Sequence, residues 1–273
     1  MNSLLSETRK KFSFGWSRFG KKEVERNWYK DSFSYLKYIP SDVFRGGKIG
    51  LDVGCGSGAD MIHLSQYGPR LIGIDMSDSI QVARENVKNF KNISVAQANL
   101  YNLPFKDERF DFVYSFGVLH HLPDPEKGFR ALVSKAKKGG SVIIYVYEDF
   151  SERSSMERFL LKTVNLFRAL TTKMPAPALL MLCILMSPFV LLSCSLPYQI
   201  LKRIGITKKF AEKIPFRHTM RLDCIISDLY DRFSPPIEYR YNRKQIAEWF
   251  DRAGLADSHI MNYRGWVAWG KKK

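Results

Sequence analysis

An apolar run ends on a carboxylate and passes directly into three closely spaced glycines, KIGLDVGCGSGAD at residues 48–60. This stretch constrains the fold more than any other. KIGLDV (48–53) reads as a buried strand. Gly54, Gly56 and Gly58 allow a tight strand-to-helix turn in which backbone can approach a ligand closely. A helix from about Ala59 to Tyr67 follows, and RLIGID (70–75) is a second strand. Asp75 ends that strand 21 residues after Gly54, where a carboxylate can accept hydrogen bonds from ribose hydroxyls. Gly54-x-Gly56-x-x-Ala59 also satisfies the dinucleotide fingerprint, so the loop alone leaves two readings open.

The alternation of β-rich runs and helical stretches continues to Tyr147. Ser77 is the expected N-cap of a helix to about Asn89. NISVAQA (92–98) and FDFVYSF (110–116) are the third and fourth strands. A helix from about Pro125 to Lys137 is expected to end at Gly139 and Gly140, before a fifth strand, SVIIYVY (141–147). Such near-continuous apolar strands suit a parallel sheet covered on both faces. Residues 151–173 then read as a basic amphipathic helix. Met174 to Leu201 is 28 residues without a charge, and Pro188 is expected to divide it into two short helices. Beyond Arg221 the alternation resumes, with a helix from about Arg243 to Ala253 and strands near 257–263 and 266–270. The expected fold is α/β: a Rossmann-like, mostly parallel seven-stranded sheet with helices on both faces, plus a helical insertion between strands 5 and 6. Its parts are an N-terminal arm or lid (1–47), the Rossmann-like core (48–150), a basic apolar helical insertion that is a substrate cap or a membrane contact (151–222) and a C-terminal helix and strands completing the sheet (223–273).

Asp52, two residues before the first glycine, shifts the balance between the two ligand readings. A carboxylate there can pair with an ammonium group, which S-adenosylmethionine has and a pyrophosphate lacks. The chain resembles the class I S-adenosylmethionine-dependent methyltransferases, in a bacterial branch acting on small or lipid-like metabolites. The resemblance runs through the loop, GIDMS (73–77), AQANLYNLPF (96–105), FDFVYSFGVLHHLPDP (110–125) and KKGGSVIIYVY (137–147). More loosely, it takes in FSFGWSRF (12–19) and SPPIEYRYNRKQIAEWFDRAGL (234–255). It implies that Asp52, Gly54, Cys55, Gly56 and Gly58 hold the methionine end of S-adenosylmethionine, with Cys55 a small filler. It further implies that Asp75 binds the ribose and Met76 packs on the adenine. Asn99 stands where the family usually has Asp against the adenine amino group, and an Asn oxygen can still accept that bond. Leu100 lies beside the adenine, and Ser115 and Phe116 lie next to the methyl donor.

Methyl transfer from a sulfonium is an in-line displacement, so a protein must mainly position the acceptor and exclude water. A base is needed only if the acceptor arrives protonated. His120 and His121, on the loop after the fourth strand, are the candidate bases. Phe14, Trp16, Phe19, Trp28 and Tyr29 are candidate lid aromatics. Arg217, His218, Asp223, Asp231, Tyr239 and Tyr241 are candidate acceptor-pocket residues.

The chain carries a net charge of +16, and 12 basic against 3 acidic side chains fall in 151–222. Apolar helices edged with Lys and Arg are the pattern of interfacial anchors on anionic lipid. A single span is not expected, because the strands on either side of the insertion must complete one sheet. Cys55, Cys183, Cys194 and Cys224 lack metal-ligand spacing, so neither a disulfide framework nor a metal site is expected. The N-terminal stretch lacks the apolar core of a signal peptide. The expected place is the cytoplasm, peripheral at the cytoplasmic membrane face. The expected partners are a small-molecule or lipid-like substrate and an anionic membrane surface. Nucleic acid, through a wobble-uridine type of tRNA methyltransferase, is the second reading. A non-catalytic binding protein on the same fold is the third.

Overall fold

The computed structural model describes residues 3–25, 32–203 and 220–273. It divides into two compact units, one of residues 1–163 with 236–273 and one of residues 164–235.

The first unit is built on a seven-stranded sheet. Its strands are β1 (Ile49–Val53), β2 (Arg70–Asp75), β3 (Ile93–Gln97), β4 (Phe110–Phe116), β5 (Ala136–Val146), β6 (Leu255–Asn262) and β7 (Trp266–Lys272). The order is β3-β2-β1-β4-β5-β7-β6, with β7 antiparallel to both neighbours and the other pairs parallel. Helices α1 (Ser3–Glu25), α2 (Ala59–Ser65), α3 (Ile80–Val87) and α4 (Pro125–Lys135) precede α8 (Arg243–Arg252) in this unit. Two separate apolar clusters form the core. One gathers Leu51, Val113, Phe129, Ile144 and Phe250. The other gathers Phe44, Met61, Leu71, Phe112 and Tyr114.

The sheet is the one expected, but several boundaries differ. Helix α3 begins at Ile80 rather than after Ser77. The Asp75 carboxylate accepts from both the Ser77 amide and its hydroxyl, which closes the turn before the helix starts. Strand β5 begins at Ala136, earlier than Ser141. Phe110 pairs with Ala136 and Phe112 with Ser141, so the Lys137–Gly140 stretch is taken up as an irregularity within the strand rather than in the preceding helix.

The second unit contains the end of α5 (Ser155–Thr171), α6 (Ala176–Arg203) and α7 (Leu222–Phe233). The Arg168 guanidinium donates to the carbonyls of Arg232 and Pro235, and the Thr171 hydroxyl donates to the Phe233 carbonyl. Two of these carbonyls, of Arg232 and Phe233, are among those that the end of α7 leaves open. Pro188 does not divide the apolar stretch. Helix α6 runs through it and widens into one π-helical segment at Leu191–Ser195. Proline cannot donate to the Ile184 carbonyl, and the Ser187 hydroxyl donates there instead at 2.8 Å. Leu179, Cys183, Ser187 and Val190 form the buried side of α6, which packs on α7. Met181, Leu185, Phe189, Leu192 and Ile200 stand exposed along another side, Leu185 at 72% and Phe189 at 70%.

Candidate active site

The glycine loop lies at the carboxyl edge of the sheet, where β1 hands over to α2. The Gly54 and Cys55 amides both donate to the Ile74 carbonyl, folding the loop against the end of β2. Gly54 has φ +89°, and a Cβ there would come within 2.3 Å of Val118. Gly56 has φ +52°, and its Cβ would sit 3.3 Å from the Trp16 ring. The loop is thus closed in by the β4–α4 connection at one glycine and by α1 at the other. The Gly56 amide donates to Asp75 Oδ2 at 3.0 Å. Asp75 therefore accepts three hydrogen bonds, one from Gly56 and two from Ser77. About one of the four lone-pair sites of a carboxylate is left for a ligand.

Asp52 sits beneath this loop at 2% exposure. Its Oδ2 makes no hydrogen bond of regular geometry, and neither does the neighbouring Tyr114 hydroxyl. Burial pushes the Asp52 carboxyl well above the usual range, and the charge of Asp60 adds to this. The nearby Tyr114 hydroxyl opposes the rise, and Asp75 adds to it. Asp60, in the first turn of α2, accepts a hydrogen bond from the Tyr35 hydroxyl at 2.7 Å. Burial pushes Asp60 up to about 6, against the pull of that hydrogen bond. Burial also raises the Cys55 thiol, followed by the charges of Asp52 and Asp75. Cys55 is buried and fills space near Gly73.

The remaining expected residues are placed as follows. Met76 is half-buried, and its carbonyl accepts from Gln97. Asn99 is exposed and caps a single 3-10 turn by accepting from the Tyr101 amide at 3.0 Å. Leu100 is buried in the core. The Ser115 hydroxyl donates to the Val53 carbonyl at 2.7 Å, tying β4 to β1. Phe116 is half-buried, with its ring 4.9 Å from Tyr35 and 5.0 Å from Tyr114. Gly58 has φ +82° and precedes α2.

His120 and His121 are both buried. The His120 ring stacks on Tyr147 at 3.9 Å, while His121 meets Phe12 edge-on at 5.1 Å. His121 Nδ1 lies 2.6 Å from the Ile237 carbonyl. A carbonyl only accepts, so Nδ1 carries the proton and Nε2 is the basic nitrogen of the neutral ring.

In α1, Trp16 faces the loop and Phe19 is buried, while Phe14 carries the Arg18 guanidinium over its ring. Arg9 pairs with Asp78 at 3.1 Å, and the Ser57 hydroxyl donates to Glu23 at 2.6 Å. Trp28, Tyr29, Arg217 and His218 lie outside the described residues. Tyr239 and Tyr241 belong to the first unit, whereas Asp223 and Asp231 belong to the second. Tyr35 and Asp60 were not among the expected site residues. They are 25 positions apart, and no spacing rule joins a short 3-10 segment to a helix start.

Residues 51–144 match the family model described as "Methyltransferase domain". Residues 51–144 carry a methyltransferase domain. The domain is 34% identical over 109 residues to the ubiquinone biosynthesis O-methyltransferase of Coxiella burnetii, covering 39% of this chain and 47% of that one. It is 36% identical over 126 residues to the tRNA (carboxymethyluridine(34)-5-O)-methyltransferase of Saccharomyces cerevisiae, covering 42% and 43%. The matched parts span less than half the length of these curated relatives. The fold is similar to that of a solved SAM-dependent methyltransferase from Aquifex aeolicus. The TM-score there is 0.51 at 15% identity, over 92% of this chain and 96% of that one. S-adenosylmethionine is the cofactor named in the description of the Aquifex aeolicus enzyme. The residues present fit it, since Asp52 offers a buried, underused carboxylate to a cationic ligand beneath a loop that only glycines can form.

Proposed function

We propose that this chain transfers the methyl group of S-adenosylmethionine to a small or lipid-like acceptor. The Asp52 carboxylate, buried with one oxygen outside any regular hydrogen bond, carries this reading, because a buried charge needs a partner. In this reading Asp52 pairs with the ammonium of the cofactor, and the last lone pair of Asp75 takes a ribose hydroxyl. The left-handed turns of Gly54, Gly56 and Gly58 admit the carboxypropyl chain, with Cys55 as filler. Met76, Asn99 and Leu100 bound the adenine, and Ser115 and Phe116 end the strand nearest the methyl group. The bound cofactor supplies an electrophilic methyl and its own leaving group. The chain's own residues orient the acceptor and exclude water, and His121 Nε2 receives a proton where the acceptor bears one.

Calorimetry with S-adenosylhomocysteine tests the cofactor half. Native protein binds it, and Asp52→Asn loses on the order of 1–3 kcal/mol of affinity. Equal affinity in the two proteins overturns the assignment. Labelled cofactor, incubated with separate lipid, small-molecule and tRNA extracts, tests the acceptor half. Label in the organic or small-molecule fraction supports this reading. The similarity to the yeast tRNA enzyme favours a second reading, in which the label appears in tRNA.

The finer proposal is that the second unit holds the protein peripherally on an anionic membrane at the cytoplasmic face. Helix α6 is long and apolar enough to cross a bilayer. It lies in sequence between strands that share one sheet, β5 and β7, so a lone crossing would put hydrogen-bonded strands on opposite sides. No second helix of that kind occurs among the described residues. The exposed apolar side of α6 and the surplus of Lys and Arg in 151–222 support lying in the interface rather than spanning it.

A further inference from the structure

The acidic groups beneath the glycine loop form a larger set than one carboxylate for one ammonium. Asp52 in β1 and Asp60 in the first turn of α2 stand on either side of the Gly54–Gly58 turn, and the charges of Asp60 and of Asp75 from β2 both bear on Asp52. The titratable groups around them are the hydroxyls of Tyr35, Tyr114 and Tyr145 and the Cys55 thiol. The charges that bear most on Asp52 are all negative. Aromatic rings wall the same place. Tyr35 stacks on Tyr145 at 5.5 Å and meets Phe116 at 4.9 Å, and Phe116 meets Tyr114 at 5.0 Å. Carboxylates among ring faces suit one class of guest, a cationic centre. Asp52 Oδ2 is buried in the same place with the Tyr114 hydroxyl as its neighbour and no hydrogen bond of regular geometry, which leaves acceptor capacity for a ligand.

We propose that Asp60, held by Tyr35, is a second carboxylate of the cofactor site, and that cation binding there expels a proton shared between Asp60 and Asp52. This rests on the cofactor reading above. Before binding, a buried and a half-buried carboxylate, on which the charges that bear most are negative, favour keeping a proton. A cationic guest stabilises both ionised forms, so the proton leaves to solvent as the cofactor enters. Reciprocally, raising the pH strengthens binding. Burial puts Asp60 at about 6, which sets the pH range in which the coupling shows. The Tyr35 hydrogen bond favours the ionised form of Asp60 and tunes that range.

The test titrates the full chain with S-adenosylmethionine and with S-adenosylhomocysteine from pH 5 to 8. Two buffers of different ionisation enthalpy report the protons released. Native protein is expected to release close to one proton per cofactor at the low end, with affinity rising by up to about tenfold per pH unit below the midpoint. Asp60→Asn flattens that slope. Tyr35→Phe keeps the slope and moves its midpoint to higher pH, because it removes a bond to the ionised carboxylate. Tyr35→Phe therefore decides the matter if Asp60→Asn does not fold. An identical slope and midpoint in native, Asp60→Asn and Tyr35→Phe proteins overturns the proposal while leaving cofactor binding intact. Failure of native protein to bind either compound overturns the cofactor reading itself. Tetramethylammonium added to protein saturated with S-adenosylhomocysteine separates the two sources of a cation. Heat that depends on Asp60 would place the cationic site on the acceptor and overturn its assignment to the cofactor.

Discussion

At the scale of single residues, the two adjacent histidines are set apart by their neighbours rather than by their chemistry. His121 gives its Nδ1 proton to the Ile237 carbonyl, which fixes the tautomer and the ring. His120 is held face to face with Tyr147, under the Arg240 guanidinium that covers the other ring. If the acceptor must lose a proton, His121→Ala is expected to lower the methylation rate by about 10²–10⁴-fold. The same change should abolish the low-pH limb of the rate profile, while His120→Ala acts mainly through packing. Rates measured against pH for both variants decide this, and an unchanged profile in His121→Ala removes the base role. Sequence spacing brings both histidines to the loop after β4, but it does not choose between them. That choice depends on residue 237, more than a hundred positions away.

Among the elements, α6 is where sequence pattern and structure part most clearly. Four prolines in a charge-free stretch suggest interruption, yet the helix runs through both Pro188 and Pro197, and Ser187 meets the carbonyl that Pro188 leaves open. A one-residue rescue of this kind is invisible to periodicity. Strands β1, β2 and β4, by contrast, were legible nearly to the residue, because each is a short apolar run closed by turn residues. The start of β5 was not, since glycines that usually stop a helix sit here within a strand irregularity. The stripe through Leu185 and Phe189 yields a direct expectation. Native protein should co-sediment with anionic vesicles at low salt and be partly released by added salt. The pair Leu185→Glu and Phe189→Glu leaves the buried side of α6 untouched and should abolish sedimentation. Binding that survives the pair refutes the interfacial role of this side.

Across the whole molecule, the half-buried Asp60 ties stability to pH. Asp60 titrates near 3.8 when unfolded and at about 6 when folded, so the folded state holds more protons between those values. Stability contributed by the protonated carboxyl is therefore present at low pH and is lost as pH rises through that window, by up to about 3 kcal/mol. Denaturant midpoints of ligand-free protein should fall as pH is raised from about 4 to about 6, and fall less in Asp60→Asn. A rise in native protein over that range contradicts the placement of Asp60. The site was legible in its loop and in Asp52 and Asp75, which share a continuous motif, but not in Tyr35 and Asp60, which meet only after folding. The position of β7 has a consequence for synthesis. Strand β7 hydrogen-bonds between β5 and β6, yet it is made only after the entire 164–235 unit has left the ribosome. Until then β5 presents an unpaired edge while the apolar α6 is already exposed, two surfaces prone to self-association. A nascent chain in this state has reason to find a chaperone or a lipid surface before its sheet is whole.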